Sequence, residues 1–191
     1  MIIEIIGEKP NKRGKGLTNT IFRARAPLRL GLAGGGTDVS PYCDEFGGAI
    51  INVTIDRYAY ASIRLRADNK VVFVSVDQNE TEEFSIGQLI PDDSKLKLHR
   101  GIFNRMFKQY GFGRSSGFTL TTHVDAPMGS GLGSSSALMV AMVAVMREYL
   151  ILPLGEYEVA RLAFDIERVD LGLQGGRQDQ DRFRGQGQKP A

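Results

Sequence analysis

The stretch Asp125–Ala137, which reads D-A-P-M-G-S-G-L-G-S-S-S-A, constrains the fold of this chain more than any other feature. Glycines alternate with other residues, serines follow, and an apolar run continues to Val145. This pattern predicts a tight glycine loop that leads into the N-terminus of a buried helix. The first N–H groups of a helix lack intrahelical partners and carry about half a positive charge. The stretch therefore predicts a phosphate-binding site.

Composition narrows the class of protein. The 191 residues are 42% hydrophobic and 24% charged, which is ordinary for a soluble globular domain. A net charge of +2 is too small to predict a nucleic-acid or membrane partner. The single cysteine, Cys43, excludes an internal disulfide, and with two histidines it does not predict a zinc site. We expect a cytoplasmic protein, and the sequence leaves its oligomeric state open.

Periodicity along the chain predicts alternating strands and helices. Strands are predicted over 21–30, 49–55, 57–65, 71–76, 81–84 and 117–124, and helices over 98–110, 134–150 and 156–171. The last helix has a predicted apolar stripe of Val159, Leu162, Ala163, Ile166 and Val169. These elements predict an α/β (α+β) fold, with a mixed or antiparallel sheet covered by helices on one side.

Spacing excludes two common phosphate loops. A Walker A loop requires G-x-x-x-x-G-K-[ST], whereas Gly31–Thr37 contains no lysine. A Rossmann fingerprint requires G-x-G-x-x-G, whereas the loop at Gly129–Ser134 reads G-S-G-L-G-S. The phosphate loop must therefore belong to another class.

Three motifs together resemble those of the GHMP small-molecule kinases. Pro127–Ser136 resembles their phosphate loop, Arg25–Asp38 resembles the sugar-kinase form of their substrate motif, and Gly175–Gln180 resembles the segment that carries their catalytic aspartate. The combination is most similar to the heptose 7-phosphate kinase branch, with the fucokinase type next. The resemblance implies a GHMP kinase N-terminal domain, with a ribosomal protein S5 domain 2-like sheet covered by helices.

The resemblance also implies roles for individual residues. The residues expected to bind the phosphates of ATP are Pro127, Gly129, Ser130, Gly131, Leu132, Gly133, Ser134, Ser135 and Ser136. Ser134 or Ser135 is also predicted to be the N-cap of the helix. Mg²⁺ is expected at Ser135 and Glu167, and Asp179 is the expected catalytic base. The sugar is expected to face Arg29, Gly36, Thr37 and Asp38.

The sequence departs from the family at both ends. We predict a poorly ordered extension over 1–19, an ATP-binding domain over 20–180 and an atypical, disordered tail over 181–191, with the family's C-terminal domain absent. The expected function is transfer of the ATP γ-phosphate to the anomeric hydroxyl of a heptose 7-phosphate, which would supply nucleotide-activated heptose for surface glycans.

Other functions remain open at this point. The chain could be a truncated, catalytically weak or inactive remnant that still binds ATP, or a fucokinase-type sugar kinase. An RNA- or protein-binding module is disfavoured, because basic residues such as Arg57, Arg64 and Arg66 are scattered along the sequence.

Overall fold

The computed structural model describes residues 2–6, 20–111, 117–127 and 129–173. The strands are β1 (Ile2–Ile6), β2 (Ile21–Ala33), β3 (Ile51–Leu65), β4 (Lys70–Ser75), β5 (Glu80–Ser85) and β6 (Phe118–Val124). The helices are α1 (Tyr42–Phe46), α2 (Lys97–Tyr110), α3 (Ser134–Leu150) and α4 (Glu156–Asp165), and α4 continues into a π-helical turn, Ile166–Asp170.

The strands form one mixed sheet in the order β1-β2-β3-β6-β4-β5. Strand β6 pairs antiparallel with β3 on one side and parallel with β4 on the other. Because β4 and β6 run in the same direction, their carboxyl ends lie together at one edge of the sheet. The predicted fold class is thus confirmed.

The core lies between the sheet and the helices. Alternate residues of β2, such as Phe22, Ala24 and Leu28, are buried against the helices, as the period of two requires. Helix α3 is buried continuously from Ser136 to Met146, which explains why its sequence is apolar on nearly all sides. Helix α2 contributes Phe103, whose ring meets that of Phe73 on β4.

A side chain from the sheet holds the segment that leads into helix α2. The Glu82 carboxylate on β5 accepts hydrogen bonds from the Ser94 hydroxyl at 2.6 Å and from the N–H groups of Lys95 at 3.0 Å and Leu96 at 3.2 Å. Burial opposes ionisation of Glu82, but these hydrogen bonds outweigh it and hold the pKa below the ordinary value. A negative charge at this position also stabilises the positive end of the helix dipole.

Three features differ from the sequence-based predictions. Strand β3 is continuous over a range predicted as two strands. Residues 2–6 form edge strand β1, paired with β2, where the sequence predicted no strand. The predicted stripe of the last helix was wrong at Val169, which is 72% exposed. The wider π-helical turn that begins at Ile166 rotates Val169 outward, and Glu167 takes a buried position instead.

Beyond the helical layer, β2 and β3 continue as a two-stranded ribbon. Residues 29–33 of β2 pair with residues 51–54 of β3. On this ribbon Leu30, Leu32, Ile51 and Val53 are exposed, with Leu32 at 64% and Ile51 at 61%. The two-stranded ribbon therefore extends past the part of the core that the described helices cover.

Candidate nucleotide and metal site

The glycine loop has the backbone conformation that only glycine adopts readily. Gly129, Gly131 and Gly133 have φ values of 79°, 72° and 71°. Gly133 is the N-cap of α3, and its carbonyl accepts the N–H of Ala137 at 2.9 Å. The prediction of a serine N-cap was therefore wrong: Ser134 and Ser135 are already helical, and their N–H groups belong to the first turn.

A cavity of about 290 Å³ opens beside this loop. Its floor is formed by the loop glycines, by Ser134 and Ser135, and by Leu138 of α3. Its walls come from the carboxyl ends of the parallel pair β4 and β6 and from Leu98 of α2. In open α/β sheets ligands bind outside the carboxyl ends of strands, and this volume lies near the lower end of ligand-binding pockets.

Glu167 is a buried carboxylate held at the start of α3. It is 1% exposed, and its two oxygens accept hydrogen bonds from Ser135 Oγ at 3.2 Å and Ser136 Oγ at 2.8 Å. The guanidinium of Arg168 lies 3.7 Å from Glu167 Oε2. Because Ser135 also lines the cavity, the carboxylate adjoins the predicted phosphate site.

These oxygen donors fit Mg²⁺. This metal is usually held by one or two carboxylates together with substrate phosphates, rather than by a complete protein cage. In the described ranges no group of three or more His, Cys, Asp or Glu residues could hold a metal ion. Glu167 and Ser135, which the sequence pairs as expected ligands, are within hydrogen-bonding distance of each other.

The predicted substrate motif contacts the glycine loop. The N–H of Arg29 donates to the carbonyl of Leu132 at 3.1 Å, so β2 and the loop are joined directly. The Thr37 hydroxyl lies 2.8 Å from the carbonyl of Gly34 and accepts the N–H of Ala49 at 3.2 Å. A Cβ at Gly34 would lie 1.9 Å from the Ala49 carbonyl oxygen, so this turn needs glycine. Thr37 thereby holds the turn that contains Gly36 and precedes Asp38.

Sequence reasoning missed the opposite wall of the cavity. Asp77 lines it, accepts the N–H of Val124 at 3.0 Å and contacts His123 Nδ1 at 3.0 Å. Ser136, the second serine bound to Glu167, was expected only as part of the loop. The signal for Asp77 is its position just after β4, but that signal requires knowing that β4 pairs with β6.

A larger open concavity of about 850 Å³ lies on the sheet away from the glycine loop. Arg23, Arg64 and Arg66 line it, with Asp68 paired to Arg66 at 2.6 Å. Basic residues that are scattered in the sequence thus share one face, because β2 and β3 are paired.

The predicted base Asp179 and the Gly175–Gln180 segment lie outside the described residues, as do the predicted boundaries at 180 and 181. Among the helices of the described residues, none combines the length and the apolar character needed to span a bilayer.

The comparisons agree with this geometry. Residues 97–182 match the family model described as "GHMP kinases N terminal domain". Over these residues the chain thus carries the sequence pattern of the N-terminal domain of the GHMP kinases.

The chain is also similar, over most of its length, to heptose phosphate kinases. It is 46% identical over 159 residues to the D-glycero-alpha-D-manno-heptose 7-phosphate kinase of Campylobacter jejuni, a match that covers 83% of this chain and 47% of that protein. It is 45% identical, with a TM-score of 0.78, to a D-glycero-D-manno-heptose 1-phosphate kinase from Bacteroides thetaiotaomicron, covering 84% of this chain and 52% of the other.

A more distant likeness is to a galactokinase. The Lactococcus lactis enzyme complexed with galactose is 26% identical, with a TM-score of 0.70, and the match covers 86% of this chain and 42% of that one. The chain thus spans about half the length of these relatives.

Proposed function

We propose that this chain supplies the ATP-binding domain of a sugar kinase that phosphorylates the anomeric hydroxyl of a heptose 7-phosphate. The observation that carries the proposal is the glycine loop at the N-terminus of α3, whose first turn also holds the buried carboxylate of Glu167. The proposed co-substrate is ATP, the proposed metal is Mg²⁺, and the proposed compartment is the cytoplasm.

Different residues of the site are proposed to bind the phosphates, the metal and the sugar during phosphoryl transfer. N–H groups of the loop and of the first turn of α3 would stabilise the negative charge of the phosphates. Glu167 and Ser135 would hold Mg²⁺, which neutralises charge on the phosphate oxygens. Arg29, Gly36, Thr37 and Asp38 would position the sugar, and Asp179 would accept the proton of its attacking hydroxyl.

The proposal also names the sugar substrate, a heptose 7-phosphate. It is supported by the names of the two relatives at 45–46% identity, one a heptose 7-phosphate kinase and the other a heptose 1-phosphate kinase. A fucokinase-type specificity remains the alternative. A panel of heptose 7-phosphate, L-fucose and galactose separates them, since the proposal requires the heptose phosphate to be turned over with the highest kcat/KM.

Nucleotide binding is tested on this chain with Gly131→Val. A branched side chain at φ of 72° is strained, at a cost of roughly 1–3 kcal/mol, and distorts the loop. We expect ATP affinity, measured by calorimetry, to fall about tenfold or more. Gly87→Val is the matched control: Gly87 also has positive φ, and a Cβ at either glycine meets nothing within 4 Å. Equal ATP affinity in both variants would contradict the proposed phosphate site.

Turnover is tested with Asp179→Asn. A positioned base typically contributes about 10²–10⁴-fold, so we expect ATP-dependent phosphorylation of heptose 7-phosphate to fall by that order. Nucleotide binding without turnover in the unsubstituted chain would favour the alternative of a remnant that only binds ATP. Absence of binding at millimolar ATP would exclude both functions.

A further inference from the structure

The π-helical turn that carries Glu167 is fastened to helix α2 on its outer side. Arg105 Nη1 of α2 donates to Oδ1 and Oδ2 of Asp170, at 2.9 Å each. One turn earlier on α2, Gly101 is buried against Leu171, and a Cβ at position 101 would lie 2.8 Å from Leu171 Cδ1. We call these residues, Gly101, Arg105, Asp170 and Leu171, the α2 clamp.

Hydrogen bonds connect the clamp to Glu167. The N–H of Leu171 closes the π-helical turn on the carbonyl of Ile166 at 3.0 Å, and the N–H of Leu173 donates to the carbonyl of Glu167 at 3.0 Å. Arg168 Nη1 donates to the carbonyl of Leu173, also at 3.0 Å. Displacement of Asp170 or Leu171 therefore moves the backbone on both sides of Glu167.

From these contacts we propose that the α2 clamp is a positioning device for the metal site, and that Arg105 and Gly101 act through the π-helical turn to hold Glu167 against Ser135. The inference rests on the proposed function, because it takes Glu167 to be the Mg²⁺ ligand.

The clamp contributes more to position than to stability. The side chains of Arg105 and Asp170 are 31% and 30% exposed, and ion pairs with such access to solvent add little to the free energy of unfolding. Glycine inside a helix is less favourable than alanine, so Gly101 gives up helix propensity to admit Leu171. Both observations indicate that the contact serves the geometry of the turn.

The test compares the affinity of this chain for ADP with and without Mg²⁺, in variants Asp170→Asn and Arg105→Gln. We expect unchanged affinity for metal-free ADP, whereas the tightening produced by Mg²⁺ decreases about tenfold, the lower end of the range for residues that orient a metal ligand. Thermal melts check that the variants fold. The exchange Arg105→Asp with Asp170→Arg restores the pair and is expected to recover part of the Mg²⁺ effect.

Asp68→Asn is the matched control. It breaks the Arg66–Asp68 pair, whose side chains are similarly exposed but which lies on the sheet face away from the glycine loop. This variant must keep the full Mg²⁺ effect. A full effect in Asp170→Asn and Arg105→Gln as well would overturn the inference while leaving the proposed function intact. No Mg²⁺ effect in the unsubstituted chain would overturn the metal site itself.

The variant Gly101→Ala provides an independent test of the α2 clamp. The new methyl group gains helix propensity but pushes Leu171 away from α2. We expect a weakened Mg²⁺ effect with little change in melting temperature. A merely structural contact would give the reverse, a shifted melting temperature with the Mg²⁺ effect unchanged.

Discussion

His99 on α2 is a buried imidazole that makes stability depend on pH. Its Nε2 lies 3.0 Å from the Thr122 hydroxyl, and burial lowers its pKa from 6.5 to about 4, although nearby Glu82 partly opposes this. The unfolded chain therefore binds a proton between these values that the folded protein does not, so the stabilisation is complete above pH 6.5 and is lost as the pH falls towards 4.

We expect proton uptake by this histidine to lower the free energy of unfolding by about 1.5 kcal/mol between pH 6.5 and pH 5, since one pKa unit corresponds to about 1.4 kcal/mol and the unfolded histidine is half protonated at pH 6.5. Urea unfolding at both values should show a correspondingly smaller loss in His99→Asn. His123→Asn is the control, because His123 is the other histidine and is half exposed. Equal acid sensitivity in the wild type and in His99→Asn would contradict the assignment.

At this scale the sequence predicts those residues whose proposed roles rest on their position in a motif. The loop glycines and Glu167 could be predicted because motif positions need no knowledge of tertiary pairing. The contact of Ser136 with Glu167 and the place of Asp77 in the cavity wall could not be predicted. Ser136 and Glu167 are 31 positions apart, and Asp77 is 47 positions from Val124, whose N–H it accepts.

Among the elements, the start of α2 depends on a carboxylate that the sheet provides. Glu82→Gln keeps the size of the side chain but removes the charge that accepts the Lys95 and Leu96 N–H groups. Since a hydrogen bond contributes about 0.5–1.5 kcal/mol net, we expect a loss of that order in the free energy of unfolding, measured in urea. Glu83→Gln breaks only an exposed pair with Lys70 and should cost less. Equal losses would show that the hydrogen bonds to Glu82 are not stabilising.

Helix α3 was predicted with the bounds that the structure gives, because its glycine start and apolar length are unambiguous. The last helix was predicted too long, as α-helical periodicity contains no signal for a π-helical turn. The turn depends on the contacts of Asp170 and Leu171 with α2, which are tertiary. Strand β3 was divided because Asp56 and Arg57 interrupt the apolar pattern where the ribbon meets the sheet.

Across the whole molecule, stability should be uneven along β2 and β3. Residues 59–65 of β3 lie between β2 and β6, whereas residues 51–54 pair with β2 alone and lie on the exposed ribbon. We expect amides of 51–54 to exchange with deuterium through low-energy local opening, and those of 59–65 only near the free energy of global unfolding. Uniform protection along β3 would contradict this division.

The position of β6 also governs how the protein is made. Among the strands of the described residues it is the last in sequence, yet it lies between β3 and β4. A chain emerging from the ribosome can pair β2 with β3 and β4 with β5, but the two pieces cannot join until β6 has been synthesised. The residues that follow β6 are the glycine loop and α3. Closure of the sheet therefore waits for the synthesis of β6, the phosphate loop is made directly after it, and a nascent chain stopped before Phe118 has neither.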